Sequence, residues 1–358
     1  MFLVDAFHDL EISKRMRWPT NAKRRLSGKL RRLASASGAF WIDGNLWQRL
    51  ANLCVGLRWD TNTHFYIRSL GRAPNYVSPK ALTDKVQWRK VFDHNPLFVT
   101  FTDKILARDY TRKIAPEVAI PRTFWIGEDP EEIPFDTFKE PYVIKPNHSS
   151  GQIIYVEDPA TVDRQQVIET SRDWLQTQYG GPSAEWAYSR VRPRLIVEEL
   201  LSGLDDGEKV TNYKFFVFSG QVRYTQFESK RPEGYFLSFF DADGNQLKIR
   251  KWMGLQSGSK TSTPAKGIQA PSKFAEMKAI AERIGKEIDM VRVDLYQVGD
   301  TIYFSELTLY DGSGYSWFYR DGDCFEGRPP QALNDEYGEF WELPRISPWQ
   351  KILNCMVG

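Results

Sequence analysis

Cysteine is scarce in this chain. Cys54, Cys324 and Cys355 stand far apart, with no CxxC pair and no Cys/His spacing suited to a metal, so a disulfide-stapled scaffold and a zinc module are excluded and a reducing, cytosolic compartment is expected. Histidine is scarce too, and the four residues form neither a triad nor a metal constellation. No stretch approaches the ~20 consecutive apolar residues of a spanning helix. The opening MFLVDAFHDLEISK carries Asp5, His8, Asp9 and Glu11 where a secretion signal would keep an unbroken apolar centre. The expectation is a soluble, cytoplasmic protein, at most peripheral on the inner face of a membrane. Internal repeats and low-complexity tracts are absent.

Acid is missing over one long stretch. Between Glu11 and Asp43 there is no acidic residue, whereas residues 14–32, KRMRWPTNAKRRLSGKLRR, hold nine Lys or Arg. The formal net charge of the whole chain is only +2, so the basicity is local. It reads as a solvated arm, or as an anchor on an anionic membrane surface or an acidic glycan, where each basic residue near the charged surface contributes ~1 kcal/mol. No recognition motif or aromatic stacking pattern accompanies it, and nucleic acid is not an expected partner.

What is present is material for ordered cores. The 358 residues exceed the roughly 250–300 at which one core stops growing, and 12 Trp and 22 Phe argue against a disordered chain. Two or three lobes with a cleft between them are expected. Residues 1–95 read as a basic arm and a mainly helical region, and 96–140 as the entry to a central lobe, where the helix candidate TDKILARDYTRKI runs into the strand candidate VAIPRTFWI. Residues 141–203 hold the alternating PYVIKPNHSSGQIIYVED, a helix near 160–178 and the strand RPRLIVEELL. Residues 204–345 hold the hairpin patterns NYKFFVFSGQVRYTQFES and GYFLSFFDADGNQLKI, and 346–358 form a tail. Phe274, Met277, Ile280, Ala281 and Ile284 recur at helical spacing, which predicts one buried face. The sheet beneath it is expected from MVRVDLYQVGDTIYFSELTLY, two strands turning at Val298-Gly299-Asp300. The fold class is α+β with mainly antiparallel pairing.

The strongest chemical signal is Arg292-Val-Asp294 on one of those strands and Glu306-Leu-Thr308 on the other. Side chains alternate along a strand, so Arg292 and Asp294 share a face, as do Glu306 and Thr308. Pairing through the turn brings Asp294 and Glu306 nearly opposite, a like-charge pair that is destabilising unless a cation lies between. Two such carboxylates suit Mg2+, which takes oxygen ligands and leaves other positions to phosphates and water; the alternative is a hairpin with a solvated charged face. Upstream, Lys145 ends the strand VIKPN and is followed by His148-Ser149-Ser150-Gly151, a lysine beside a Gly-bearing turn whose N–H groups could cradle phosphate. In Glu198-Glu199-Leu200-Leu201, apolar side chains could sandwich a flat base while strand-end amides read its edge. Two decoys are set aside. Asp241-Ala-Asp243-Gly244-Asn245 has its glycine at the fourth position and Trp252 at the twelfth, so a hairpin turn is favoured over a calcium loop. Residues 254–267, GLQSGSKTSTPAKG, lack a P-loop lysine motif and read as a mobile loop.

Taken in order, this set resembles the ATP-grasp superfamily across about residues 100–320. Within it, GRAPNYVSPKALTDKVQW, NPLFVTFTDKILARDY, VIKPNHSSG, WAYSRVRPRLIVEELL, NYKFFVFSGQVRY and VRVDLYQVGDTIYFSELTLYDGSGY resemble the TupA-like branch associated with teichuronopeptide and other surface-polysaccharide biosynthesis. The resemblance implies two α+β lobes gripping ATP, with 141–203 as the lid and 204–345 as the catalytic lobe. It implies phosphate contacts from Lys104 and Lys145, adenine at Glu198 to Leu201, and Mg2+ on Asp294 and Glu306. Thr308 stands where many members carry Asn, so a hydroxyl replaces an amide oxygen at the second metal position; Asp311 is a further oxygen donor or a turn former.

The implied activity is an ATP-dependent carboxylate–amine ligase. Arg292 would meet the charge on an acyl phosphate, N–H groups of Gly312, Ser313 and Gly314 would face the same oxygen, and Lys214 would touch phosphate or substrate. The implied substrates are a sugar acid and an amino acid or amine, on a polysaccharide precursor that could be lipid-linked. A phosphotransferase with the same nucleotide site and a non-catalytic nucleotide-binding component of polysaccharide assembly are the alternatives.

Overall fold

A computed structural model of the chain describes residues 46–201, 211–231, 234–255, 258, 260–264, 268–323, 325 and 328–357. The basic segment 14–32 lies outside them. The described chain opens with helices α1 (Leu46–Arg58), α2 (Asp60–Leu70), α3 (Leu82–Phe92), α4 (Leu97–Thr102) and α5 (Lys104–Ile114). The start of α5 is set by Asp103, whose carboxylate accepts the Ile105 N–H at 2.8 Å. This is an N-cap of the kind that contributes about 1 kcal/mol, and it fixes Lys104 as the first residue of the helix.

The smaller sheet follows. Its strands are β1 (Thr123–Gly127), β2 (Tyr142–Pro146), β3 (Ile154–Val156) and β4 (Leu195–Glu199), in the order β1-β4-β2-β3 with every pairing antiparallel. Between β3 and β4 runs α6 (Arg164–Gln176), begun by Asp163, which accepts the Gln166 N–H at 3.0 Å. Val167 of α6 packs with Ile144, Val156, Leu195 and Val197 in a core of its own.

The larger sheet is built from β5 (Asn212–Phe218), β6 (Gln221–Arg231), β7 (Gly234–Asp241), β8 (Gln246–Leu247), β10 (Met290–Val298) and β11 (Thr301–Thr308), in the order β11-β10-β5-β6-β7-β8. The strand β9 (Ile249–Trp252) pairs instead with β12 (Trp317–Arg320). The helix α7 (Phe274–Ile284) has all five residues of its apolar stripe buried in the core beside this sheet; each such burial stabilises by about 1.5–3 kcal/mol. The helices α8 (Ala332–Glu339) and α9 (Pro348–Val357) complete the described chain.

The α+β, antiparallel class is thus the one expected from the alternating segments. The 254–267 segment differs from a free loop: Ser262 donates its N–H to Lys251 O at 2.8 Å, Met253 N–H donates to Lys260 O at 2.9 Å, and Leu237 N–H donates to Thr263 O at 2.9 Å. Its residues 256, 257, 259 and 265–267 lie outside the described residues. Asp241 does close a hairpin turn, accepting N–H bonds from Asp243 and Asn245 at 2.9 Å each. Among the described residues no helix is long and apolar enough to cross a membrane.

Candidate active site

The site grows from a defect in one hairpin. The turn between β10 and β11 is two residues, Gly299-Asp300, with Gly299 at φ +57° and Val298 paired to Thr301. Counting back from that turn, an unbroken ladder would set Ser305 opposite Asp294 and turn Glu306 to the opposite, core-side face. A bulge at Ser305 breaks the count: Leu295 pairs with Phe304, yet Asp294 pairs with Glu306 and Arg292 with Thr308. One extra residue therefore brings both carboxylates, Arg292 and Thr308 to the same face.

Neighbouring strands extend the row. Lys214 of β5 pairs with Asp294 on one side and with Gln226 of β6 on the other. Tyr296, two residues beyond Asp294, shares the face and accepts a hydrogen bond from Ser305 Oγ at 3.1 Å. The cation between the acidic pair is protein: Arg292 donates Nε to Asp294 Oδ1 and Nη2 to Asp294 Oδ2, both at 2.7 Å, and Nη2 also reaches Glu306 Oε1 at 3.3 Å. Its Nη1 binds Asp311 Oδ1, and Lys251 of β9 holds Asp311 Oδ2 at 3.0 Å. The Asp311 carboxylate is thereby committed to Arg292 and Lys251, so it serves as a positioning anion as well as a turn residue.

The titrations follow from burial and charge. Burial is complete at Asp294 and raises its carboxyl despite Arg292 and Lys214. At Glu306 burial acts the same way but loses to Lys104, Arg292, Lys214 and Lys145, which hold the carboxyl below its usual range. At Asp311 burial is likewise overcome by Lys251 and Arg292. Thr308 donates its hydroxyl to Glu306 Oε1 at 3.5 Å.

Lysines arrive from α5 and from the smaller sheet. The segment between α5 and β1 lies along the outer edge of β11, with Ala119 N–H donating to Ile302 O at 2.9 Å and Phe304 N–H donating to Ala119 O at 2.8 Å. Lys104 Nζ donates to Ser149 O; desolvation, opposed by Glu306, pushes its ammonium down to about 8. Lys145 of β2 pairs with Glu198 Oε1 of β4 at 2.5 Å, and Arg108 of α5 takes the other carboxylate oxygen. Burial alone would raise Glu198, but Lys145 and Arg108 keep it ionised below its usual range. The side chain of Glu198 is thus occupied by these cations, leaving Glu199, Leu200 and Leu201 at the strand end. The N–H groups of Glu199 and Leu200 donate to Arg122 O at 2.9 Å and Pro141 O at 3.1 Å.

The His148–Gly151 stretch is a longer connection than a tight hairpin turn. Asn147 anchors it, accepting Arg194 N–H at 2.7 Å and donating to Arg192 O at 3.0 Å. His148 and Ser149 are buried, Gly151 sits at φ +78°, and the Ser149 hydroxyl has no partner among the described residues.

The turn after β11 differs from the expectation of three offered amides. Gly312, Ser313 and Gly314 all have left-handed φ, but Ser313 N–H donates to Tyr310 O at 2.8 Å. A Cβ on Gly314 would come within 2.6 Å of Gln87 Nε2 and 3.0 Å of Val86, so glycine there serves both conformation and packing. Beneath the turn, Lys90 of α3 donates to Ser313 O at 2.7 Å and to Ser313 Oγ at 2.9 Å, and Ser313 Oγ donates to Glu185 Oε1 at 2.6 Å. Burial lowers the Lys90 ammonium to about 7 and raises the Glu185 carboxyl.

Lys90, Glu185, Lys251 and Tyr296 are residues that sequence reasoning missed. Only Tyr296 had a signal, the alternation Arg292, Asp294, Tyr296. The arrangement places four cations, Lys104, Lys145, Lys214 and Arg292, around Glu306, which suits a polyanion held beside a divalent ion. Among the described residues no group of three or more His, Cys, Asp or Glu is gathered to hold a metal unaided. Magnesium commonly takes one or two carboxylates and completes its shell with phosphates and water.

A sequence model of one family, described as TupA-like ATPgrasp, matches residues 84–326. Similar solved structures include an ATP-grasp ligase, PsnB, complexed with a minimal precursor, at 14% identity over 60% of this chain and 54% of that one, with a TM-score of 0.34. Others are D-alanine–D-alanine ligase from Helicobacter pylori, at 11% identity over 66% and 61%, TM-score 0.36, and L-amino acid ligase from Bacillus licheniformis, at 13% over 65% and 49%, TM-score 0.39. The chain spans about half the length of the first of these. No curated protein matches it.

Proposed function

Because the chain belongs to the TupA-like ATP-grasp family and has its α+β fold, we propose that it is an ATP-dependent ligase that activates a carboxylate as an acyl phosphate and transfers it to an amine. The observation that carries this reading is the bulged hairpin that gathers Arg292, Asp294 and Glu306 on one face, with Lys104 supplied from α5 and Lys145 from the smaller sheet.

In this reading Lys104 and Lys145 hold phosphate charge, while Leu200 and Leu201, with the main chain of Glu199, receive the base. The Ser149 hydroxyl and the turn through Ser150 and Gly151 stand beside the phosphates. The donors fit Mg2+: Glu306 is held ionised, and its Oε2 and the second lone pairs of Asp294 are oxygen sites of the hard type such an ion takes. Asp294, Glu306 and Thr308 would hold it. When bound, the ion neutralises phosphate charge and draws electrons from the transferring group.

Lys214, in register with Asp294, faces phosphate or substrate. Arg292, fixed by Asp294 and Asp311, meets the negative charge that accumulates on the acyl oxygen; a guanidinium oriented in advance needs no reorganisation as charge develops. Gly312 and Gly314 remain the amides proposed to face that oxygen. The acyl donor and acceptor are a sugar acid and an amino acid or amine in cell-surface polysaccharide synthesis, the role carried by the family's name.

The test is an ADP-release screen of sugar acids crossed with amines, with the amide identified by mass. Asp294→Asn and Glu306→Gln should each lower ADP formation about 10²- to 10³-fold with circular dichroism unchanged. An undiminished rate in either removes the metal assignment. ADP formed without an amine, with phosphate retained on the glycan, would make the protein a phosphotransferase instead.

A further inference from the structure

The turn Asp311–Gly314 cannot hold its own shape. Gly312, Ser313 and Gly314 follow one another at φ +51°, +57° and +67°. Left-handed backbone is ordinarily visited by single residues, and a serine there is strained. The two flanking glycines also have the most conformational freedom to lose. One fixed conformation therefore has to be imposed from outside the turn.

Ser313 is where it is imposed, because all of its polar atoms are engaged. Its N–H donates to Tyr310 O at 2.8 Å. Its carbonyl accepts from Gln87 Nε2 at 2.9 Å and from Lys90 Nζ at 2.7 Å. Its hydroxyl accepts from Lys90 Nζ at 2.9 Å and donates to Glu185 Oε1 at 2.6 Å. Gln87 and Lys90 are fully buried on α3, and Glu185, also buried, comes from the connection between α6 and β4. Lys90 is held in turn by Asn62 Oδ1 at 3.2 Å and by the Tyr315 ring, 4.5 Å away at its centre. Glu185 is held by its own N–H, which donates to Gly180 O at 2.9 Å; Gly180 sits at φ +80°, where a Cβ would come within 2.9 Å of Glu185 O. An ammonium and a carboxylate taken out of water thus meet through one serine hydroxyl. A buried ion pair contributes little net stability relative to apolar side chains of the same volume, which leaves the placing of Ser313 as what this pair does.

The turn carries Asp311 two residues before Ser313. That carboxylate binds Arg292 Nη1 through Oδ1 and Lys251 Nζ, at 3.0 Å, through Oδ2. We propose that Lys90 and Glu185 are positioning residues that act through Ser313, fixing the 311–314 turn and with it the Asp311 carboxylate that orients the Arg292 guanidinium. Neither touches the reacting atoms. Because the proposal rests on the ligase reading for what Arg292 does, its test has one arm that needs no turnover.

In that arm the full chain is labelled with 15N-arginine, the Arg292 Nε–H resonance is assigned by its loss in Arg292→Lys, and its exchange with solvent is measured. Ser313→Ala and Glu185→Ala should each speed that exchange about tenfold or more, the loss of one buried hydrogen bond. The Arg108 Nε–H, on α5 beside Glu198, should keep its rate. Glu185→Gln, whose amide oxygen still accepts from Ser313, should stay close to wild type. Unchanged Arg292 exchange in Ser313→Ala overturns the proposal. Equal acceleration at Arg108 also overturns it, by showing a general loosening, and so does a Gln variant as fast as the Ala variant.

The second arm uses whichever acid and amine give ADP with the wild type. Ser313→Ala and Glu185→Ala should lower kcat about 10²-fold, as a misplaced reacting group does, with KM for ATP within about twofold of wild type, and Glu185→Gln should restore most of the rate. A lower melting temperature with kcat intact overturns the proposal, since that is what a structural role alone would give. If no pair yields ADP, the ligase reading fails, and the exchange arm still decides whether the Lys90–Ser313–Glu185 contact holds Arg292.

Discussion

Lys104 shows how a single charge can be set by its surroundings. It begins α5, donates to Ser149 O, and carries an ammonium pushed down to about 8 by desolvation, with Glu306 opposing and Lys145 adding to the effect. Below that pH it is cationic and, in the role proposed for it, attracts phosphate; above it the charge is lost. The apparent KM for ATP should therefore rise between pH 7 and 9, by up to about tenfold per pH unit above 8. Bound phosphate favours the ammonium and will soften the slope. Lys104→Arg, which stays charged throughout, should flatten it. An equally steep rise in the Arg variant would remove Lys104 as its source. The neighbouring Glu198 and Glu306 titrate in the opposite sense, held low by these cations, and so do not lose charge in this window.

At the scale of elements, what could be read from sequence depended on distance along the chain. The apolar runs of β2, β4, β5 and β10 and the five-residue stripe of α7 are local patterns, and they were legible because each is written within its own segment. The paired carboxylates were legible only up to the facing of Asp294 and Glu306; the bulge at Ser305 that achieves it was not, since nothing in YFSELT marks which residue is extra. Lys90 and Glu185 were illegible for another reason. They reach Ser313 from 223 and 128 residues away, and neither segment carries a motif. Asp93 gives an element-level prediction. It ends α3 as its C-cap, where a negative charge opposes the helix dipole, and burial raises its carboxyl from 3.8 to about 6 despite Arg89. Between those values the folded chain holds a proton that the unfolded chain has released, so stability falls as pH rises through that window and the full cost applies above it. Asp93→Asn should raise stability by on the order of 2 kcal/mol at pH 7.5 and by almost nothing at pH 4. A melting-temperature gain of equal size at both values would refute the charge argument.

For the molecule as a whole, the helical region and the β10–β11 hairpin are joined by one buried guanidinium. Arg89 of α3, fully buried, donates Nη1 to Met290 O at 2.7 Å and Leu309 O at 3.2 Å, where β10 begins and β11 has just ended. Its Nη2 pairs with Asp289 Oδ1 at 2.6 Å, and its plane lies against Trp341, 4.2 Å from the ring centre. Trp341 in turn donates Nε1 to Asp289 Oδ2 at 2.5 Å. Three distant stretches of chain thus meet at the base of the hairpin that carries Asp294 and Glu306. If this joint makes the helices and the larger sheet one cooperative unit, Arg89→Met should lower stability by about 3–5 kcal/mol, because it strands the Asp289 charge and two carbonyls. Asp289→Asn added to it should cost less than the sum of the single changes, since both remove the same pair. Melting followed by far-ultraviolet circular dichroism and by Trp fluorescence should show one shifted transition with both probes in each variant. Two separated steps in Arg89→Met, with the helical signal lost first, would show that the helical region folds apart from the sheet and that Arg89 only fastens it.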